Sequence, residues 1–298
     1  MVANGPQSHV CRLSDAAIIG ADPWLRTRLD HPEDVAVADD GTLYAGGENG
    51  QLYRIQPETN VVDEIGNTGG FVLGVTIGPD GALYACDFQQ HAVFRLPIDS
   101  DGVAGDLEVV VAGDSDTAPR HPNYCVFDSA GRLYISDSGE RSEMANADGC
   151  IYVVEPDGTG RILTEEPSAF PNGLALSPDE SRLYVAETGL HEVSAVELVD
   201  GTTEAVTHVT DGFGMVDGLG FDWKDRLYAA SIGDNAVYRL ADPRVPTADQ
   251  EIECIIKDPD GLIIGNPTNI SFGGPTGHTL YIANLGLWHL TAVDLSGE

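Results

Sequence analysis

The sequence predicts an all-β fold, a six-bladed β-propeller of four-stranded antiparallel blades. Three observations carry this. One stretch recurs six times, as PEDVAVADDGTLYAGG from Pro32, VLGVTIGPDGALYACD from Val72, PNYCVFDSAGRLYISD from Pro122, PNGLALSPDESRLYVAET from Pro171, VDGLGFDWKDRLYAAS from Val216 and TNISFGGPTGHTLYIAN from Thr268. The copies start 40–52 residues apart and each holds four strand-like runs, the signature of a propeller blade. The sixth copy supplies only three runs, while a spare one, HVCRLSDAAIIG, precedes the first copy. An N-terminal strand is therefore expected to close the ring.

The predicted blades cover 31–66, 72–112, 121–166, 170–210, 215–257 and 266–298, the last completed by a strand within 8–28, in one domain over 1–298. In the first copy, VAVA and TLYAGG flank Asp39-Asp40-Gly41, and QLYRI and VVDEI follow. Asp-Gly between alternating runs favours a tight hairpin, because such turns need a positive φ that glycine tolerates. The second copy repeats the order with VLGVTIG, ALYACD, AVFRLPI and LEVVVAG. YCVFD, RLYISD, CIYVVE and GRILTE make the third; GLALS, RLYVAE, EVSAVEL and EAVTHVT the fourth. The fifth reads GLGFD, RLYAAS, AVYRLA and EIECIIK, and the sixth NISFG, TLYIAN and WHLTAVDL. No helix of consequence is expected.

Propeller geometry puts the starts of the innermost strands and the turns between second and third strands on one face, here the upper face. The Asp-Gly turns fall on the lower face. The insertion GERSEMANADG and the long connection AGDSDTAPRHPN both overhang the upper face, which makes it the expected working face.

Composition narrows the partners. With 48 acidic residues against 15 Lys and Arg, the net charge is −33, and Lys224 and Lys257 are the only lysines. Such a surface repels nucleic acid and anionic membrane, leaving a small-molecule substrate as the expected partner. Molar salt shortens the screening length to ~3 Å, so the chain reads as halophilic, adapted to a salty cytoplasm. No apolar run approaches the ~20 residues of a membrane span, and MVANGPQSHVCRL has no basic stretch followed by an apolar core, so a cytoplasmic location is expected. Five cysteines without CxxC spacing indicate neither a disulfide framework nor a zinc site. Cys86 and Cys125 read as small apolar fillers. Oligomeric state is not legible.

Aligning the copies on Tyr44, Tyr84, Tyr134, Tyr184, Tyr228 and Tyr281 brings Glu33, Leu73, Asn123, Asn172, Asp217 and Asn269 into one column, eleven or twelve residues upstream. Each opens an innermost strand, so their side chains are expected to meet at the channel mouth. Five are polar and two are carboxylates. An oxygen-only set suits a hard divalent cation, Ca²⁺ first and Mg²⁺ or Mn²⁺ next.

Over nearly its whole length the chain resembles the senescence-marker-protein, gluconolactonase and luciferin-regenerating-enzyme family of six-bladed propellers. The residues that carry this are Pro32-Glu33, His121-Pro122-Asn123, Pro171-Asn172-Gly173-Leu174-Ala175, Asp217-Gly218, and Pro267-Thr268-Asn269 with Phe272-Gly273-Gly274. NGLALSPDESRLYVAET and PEDVA also resemble the strictosidine-synthase-like relatives. The resemblance implies one divalent cation, commonly Ca²⁺, held by Glu33, Asn123, Asn172 and Asp217. It also implies a metal-dependent hydrolase of cyclic esters, a lactonase. Members acting on sugar lactones read Arg-Pro-Asn-Asp-Gly where this chain reads His121-Pro122-Asn123-Tyr124-Cys125. His121 thus stands in place of the arginine expected to hold a sugar-like substrate.

Other enzyme signatures, GxSxG, HExxH and the P-loop, are absent. Asp217 and His121 are the expected catalytic pair, with Glu33 a second carboxylate able to serve as general base in place of Asp217. Ligation lowers a carboxylate's basicity, which makes His121 the base to test in place of Asp217. His121, Asn269 and Trp288 are expected to touch substrate, although packing between blades suits Trp288 better. Two alternatives remain: a phosphotriesterase-like activity at the same cation, and a non-enzymatic ligand-binding or scaffold propeller with a structural Ca²⁺.

Overall fold

The computed structural model describes residues 11–22, 27–112, 118–140, 143–244 and 251–297. Six four-stranded antiparallel sheets form the ring of a six-bladed β-propeller. The innermost strands are Val35–Val37, Val72–Ile77, Pro122–Phe127, Pro171–Leu176, Val216–Phe221 and Pro267–Gly273. Among the described residues the only helical segments are two three-residue 3₁₀ turns, Leu13–Asp15 and Met144–Asn146.

The sixth blade takes its outer strand from the other end of the chain. Ala17–Ile19 pairs antiparallel with Leu290–Asp294, Ala17 opposite Ala292 and Ile19 opposite Leu290. This is the ring closure the sequence leads one to expect.

Six hydrophobic clusters hold the blades together, one at each interface, and each includes the repeat tyrosine of the preceding blade. Tyr184 packs with Val216 and Leu219 of the next blade, Tyr228 with Ile270, and Tyr281 with Val35 and Leu43. Edge-on ring contacts add to three of these interfaces, with centroids 4.8 Å apart for Tyr84–Phe127, 5.6 Å for Tyr184–Phe221 and 4.9 Å for Tyr228–Phe272. The repeat tyrosine is therefore the interblade wedge, which is why the copies align on it. Cys86 and Cys125 are free thiols, fully buried in the cluster between blades two and three.

Aspartates cap the lower-face turns. Asp40 accepts the Thr42 amide, Asp80 that of Ala82, and Asp222 those of Lys224 and Arg226. These short local bonds shape each hairpin between first and second strands from within its own turn.

Candidate functional site at the channel mouth

In blades two to six the ladder between the first and second strands slips at the column position. Pairing jumps from Val72 to Val75, Pro122 to Tyr124, Pro171 to Leu174, Val216 to Leu219, and Pro267 to Ile270. Leu73, Asn123, Asn172, Asp217 and Asn269 sit within these slips, where the local kink frees the side chain from the sheet face. Glu33 precedes the first paired residue of its blade, Val35. Close approach of the innermost strands brings the column together. A Cβ on Gly173 would lie 2.5 Å from the Asp217 carbonyl oxygen, and one on Gly218 2.1 Å from Asn269 Oδ1.

The two asparagines share one arrangement. Asn123 Nδ2 donates to Ser138 Oγ (3.0 Å), which donates to the Pro171 carbonyl of the next blade (2.9 Å). Asn172 Nδ2 donates to Thr188 Oγ1 (3.1 Å), which donates to the Val216 carbonyl (2.8 Å). Each hydroxyl proton is committed to a carbonyl, so the hydroxyl can only accept from the amide. This fixes Nδ2 on the hydroxyl and leaves Oδ1 as the outward atom.

Three carboxyl groups gather at the same place. Glu33 keeps part of its surface exposed, yet desolvation, and then repulsion from Glu48, pushes it up to about 8. Asp34 is 1 % exposed and rises to about 8 as well. Its burial outweighs the amides of Val35 (2.7 Å) and Val75 (2.6 Å) that donate to it, and Glu33 adds repulsion. Asp217 is raised well above the usual range by burial and by the charges of Glu33 and Asp34. Among the described residues no Lys or Arg pairs with any of the three. Buried carboxylates without a counter-charge must either hold protons or share a cation. Together with two oriented amide oxygens, this donor set fits a hard divalent ion.

The remaining expected residues are placed as follows. Asn269 is buried, and its Oδ1 accepts the Ile270 amide (2.8 Å). The Tyr124 hydroxyl meets it from blade three, and burial beside Asp34 keeps that phenol protonated. His121 packs its ring 4.5 Å from Phe88 and 4.7 Å from His91. Its Nδ1 is buried without a hydrogen-bond partner. Burial, then the His91 charge, lowers its pKa, which keeps the imidazole neutral at pH 7. Arg120, next to it, turns its guanidinium to Asp148 (2.9 Å). Trp288 is 36 % exposed and its ring stands 4.0 Å from that of His31, so it contacts the start of blade one from the upper-face turn of blade six. His31 Nδ1 lies 2.8 Å from Glu48 Oε2 and 3.6 Å from Asp30 Oδ1.

Sequence reasoning missed Asp34, Ser138 and Thr188. Asp34 stands where three other copies have Gly74, Gly173 and Gly218, a departure visible in the alignment. It also missed a second column, three residues past the tyrosine. There Asp87, Asp137 and Glu187 collect the amides of incoming loops: Phe71 and Gln90 on Asp87, Arg120, His121 and Gly139 on Asp137, Ala169 on Glu187. These acids position the loops above the column. Residues 113–117 and 141–142 of the two upper-face loops lie outside the described residues. Two open clefts, of about 390 and 550 Å³, lie on the lower face among the capping aspartates and are remote from the column.

Comparison with known proteins bears on the fold and the family. The chain is 28% identical over 235 residues to a gluconolactonase of Zymomonas mobilis, spanning 70% of this chain and 60% of that protein. It is 32% identical over 236 residues to the lactonase drp35 of Staphylococcus saprophyticus, spanning 74% and 69%. A solved gluconolactonase from Xanthomonas campestris superposes with a TM-score of 0.72 at 21% identity, covering 96% of both chains. The calcium-binding protein regucalcin from Agrobacterium tumefaciens does so with 0.70 at 18%, covering 90% of both. Residues 12–55 match the N-terminal region of strictosidine synthase-like proteins. Residues 47–285 match the SMP-30/Gluconolactonase/LRE-like region, and the chain belongs to that family.

Proposed function

We propose that this protein hydrolyses cyclic esters at a divalent-cation site formed by Glu33, Asn123, Asn172 and Asp217, with Ca²⁺ the preferred ion. The carrying observation is the combination of hydroxyl-locked amides and unneutralised carboxyl groups: Ser138 and Thr188 leave the oxygen of each amide as its free atom, and among the described residues no Lys or Arg pairs with Glu33 or Asp217. When bound, the cation would supply Lewis-acid polarisation of the ester carbonyl. Relatives named gluconolactonase and lactonase support the reaction class, and the calcium-binding regucalcin fold neighbour supports the ion.

His121 is the general base in this reading. Its imidazole is neutral at pH 7 and its Nδ1 has no other partner. It takes a proton from water attacking the carbonyl carbon. As the ring C–O bond breaks, it returns that proton to the leaving alkoxide, and the product is a hydroxy acid. Asp217 would hold the ion when it is bound, and it orients that water. The substrate is a small molecule, and the acidic surface suits work in a concentrated-salt cytoplasm.

The test is lactone hydrolysis in a pH-stat, with and without chelator, for the native protein, Asp217→Ala and His121→Ala. Chelation and Asp217→Ala are expected to abolish both ion binding and turnover, and His121→Ala to lower kcat by about 100-fold with the ion retained. An Asp217→Ala protein that kept ion and full activity would refute the assignment. Chelator destabilisation without turnover of any ester would leave a structural ion instead.

A further inference from the structure

A second ring stands two residues upstream of the column, made of His31, Phe71, His121, Phe170, Met215 and Pro267. Between the rings Val72, Val216 and Thr268 are fully buried, whereas five of the six upper side chains are partly exposed and Pro267 is buried. The upper ring therefore stands on the upper face, at the entries to the strands that carry the oxygen donors. It contains no carboxylate, amide, hydroxyl, ammonium or guanidinium group.

Its surroundings extend the same character. Trp288 lies against His31, and Phe88 against His121. Met144 and Leu190 are exposed on adjoining upper-face turns, and the backbones of Met144 and Gly189 are close enough that a Cβ on Gly189 would lie 2.3 Å from the Met144 carbonyl. In the lower ring, Leu73 is the one apolar member. In a chain with 48 acidic residues, this concentration of apolar surface at the mouth of a polar channel is the local exception.

We propose that the site takes hydrophobic cyclic esters, aromatic-fused or alkyl-substituted lactones, in preference to polyhydroxylated ones. The inference rests on the hydrolytic reading above. A sugar lactone would bring several hydroxyls against Phe71, Phe170 and Met215, which offer no partner, while the neighbouring Glu48 and Asp30 already bond His31, Asn49 and Gln51. Each hydroxyl left unpaired lowers binding by a factor of about 5–150. Each methylene buried against Phe71, Phe170 or Met215 raises it about four-fold.

The experiment compares kcat/KM of the Ca²⁺-loaded protein, in high salt, for glucono-δ-lactone, dihydrocoumarin and the δ-lactones from valerolactone to decalactone. Dihydrocoumarin and decalactone should exceed gluconolactone by about 100-fold or more, with the alkyl series rising about 3- to 4-fold per methylene before it levels off. Phe170→Ser and Met215→Thr should each flatten that series by raising KM for decalactone more than for valerolactone. Preference for gluconolactone, or a flat alkyl series, would overturn the proposal and leave the hydrolytic reading standing. If no cyclic ester is turned over, the hydrolytic reading falls. Calorimetric binding of the matching alkyl and polyhydroxylated lactams then decides the preference by itself, tighter binding of the polyhydroxylated lactam counting against it.

Discussion

The Ser138 hydroxyl lies 3.0 Å from Nδ2 of Asn123 and thereby decides which atom of that amide meets the channel. Thr188 does the same for Asn172. Ser138→Ala and Thr188→Val should each weaken ion binding by about 10- to 100-fold, the usual effect of removing a group that orients a ligand. Each leaves a buried carbonyl and an amide short of a partner, a cost of about 1–3 kcal/mol in stability. Calorimetric Ca²⁺ titration beside urea unfolding separates the two effects. Unchanged affinity in both variants would exclude the amide oxygens as ligands.

The carboxyl cluster makes stability depend on pH in a definite direction. Glu33 and Asp34, with pKa values raised to about 8, and Asp217, raised well above the usual carboxylate range, hold protons in the folded chain where the unfolded chain has lost them. Their contribution is fully present below the unfolded values near pH ~4 and is lost as pH rises through about 8. In chelator, Tm should therefore fall between pH 5 and pH 8.5 (test conditions spanning about that window). Saturating Ca²⁺ should suppress the fall, because ionisation then gains a partner. Glu33→Gln should flatten the chelated profile, and equal slopes in variant and native protein would count against the cluster.

Two glycines should fail for opposite reasons. Gly218 has no room: an added Cβ meets Asn269 Oδ1 at 2.1 Å and its Cα at 2.5 Å. Gly41 has open space but a φ of +86°. Gly218→Ala should destabilise by about 1–3 kcal/mol through overpacking and disturb the column, whereas Gly41→Ala should cost about 1–2 kcal/mol through backbone strain alone. Asn, which tolerates a left-handed backbone, should rescue position 41 and worsen position 218. Denaturant midpoints for the four variants check this, and rescue by Asn at 218 would be the contrary result.

The net charge of −33 predicts salt-dependent stability. Thermal midpoints measured against KCl should climb most steeply at low ionic strength, where the screening length is still ~10 Å at 0.1 M. A flat curve from 0.1 to 2 M (about the range over which that length falls from ~10 to below 3 Å) would argue against a halophilic surface.

What could be read in advance follows from what is local. The Asp40 and Asp80 turns are set by neighbours two residues away, so strand positions and blade count were legible. The tyrosine register exposed the column for the same reason, since each copy repeats one short geometry. Contacts that cross between blades were not legible. Asp34 reaching the Val75 amide and Ser138 reaching the Pro171 carbonyl depend on how closely two innermost strands approach, and no spacing within one copy encodes that. Trp288 shows the same limit, because its stacking on His31 joins the sixth blade to the first.

The pairing of Ala17–Ile19 with Leu290–Asp294 bears on how the molecule is made. During synthesis the outer strand of blade six waits for partners nearly a whole chain length away, a contact of high sequence separation that slows folding. Until the C-terminal segment emerges, blades one to five hold an open arc with unpaired flanks, the state most exposed to misassembly. Glu33 and Asp217 belong to opposite stretches of that arc, and their spacing is set only when it shuts. Ion affinity would then double as a report on the final step of folding, rising in concert with closure and not blade by blade.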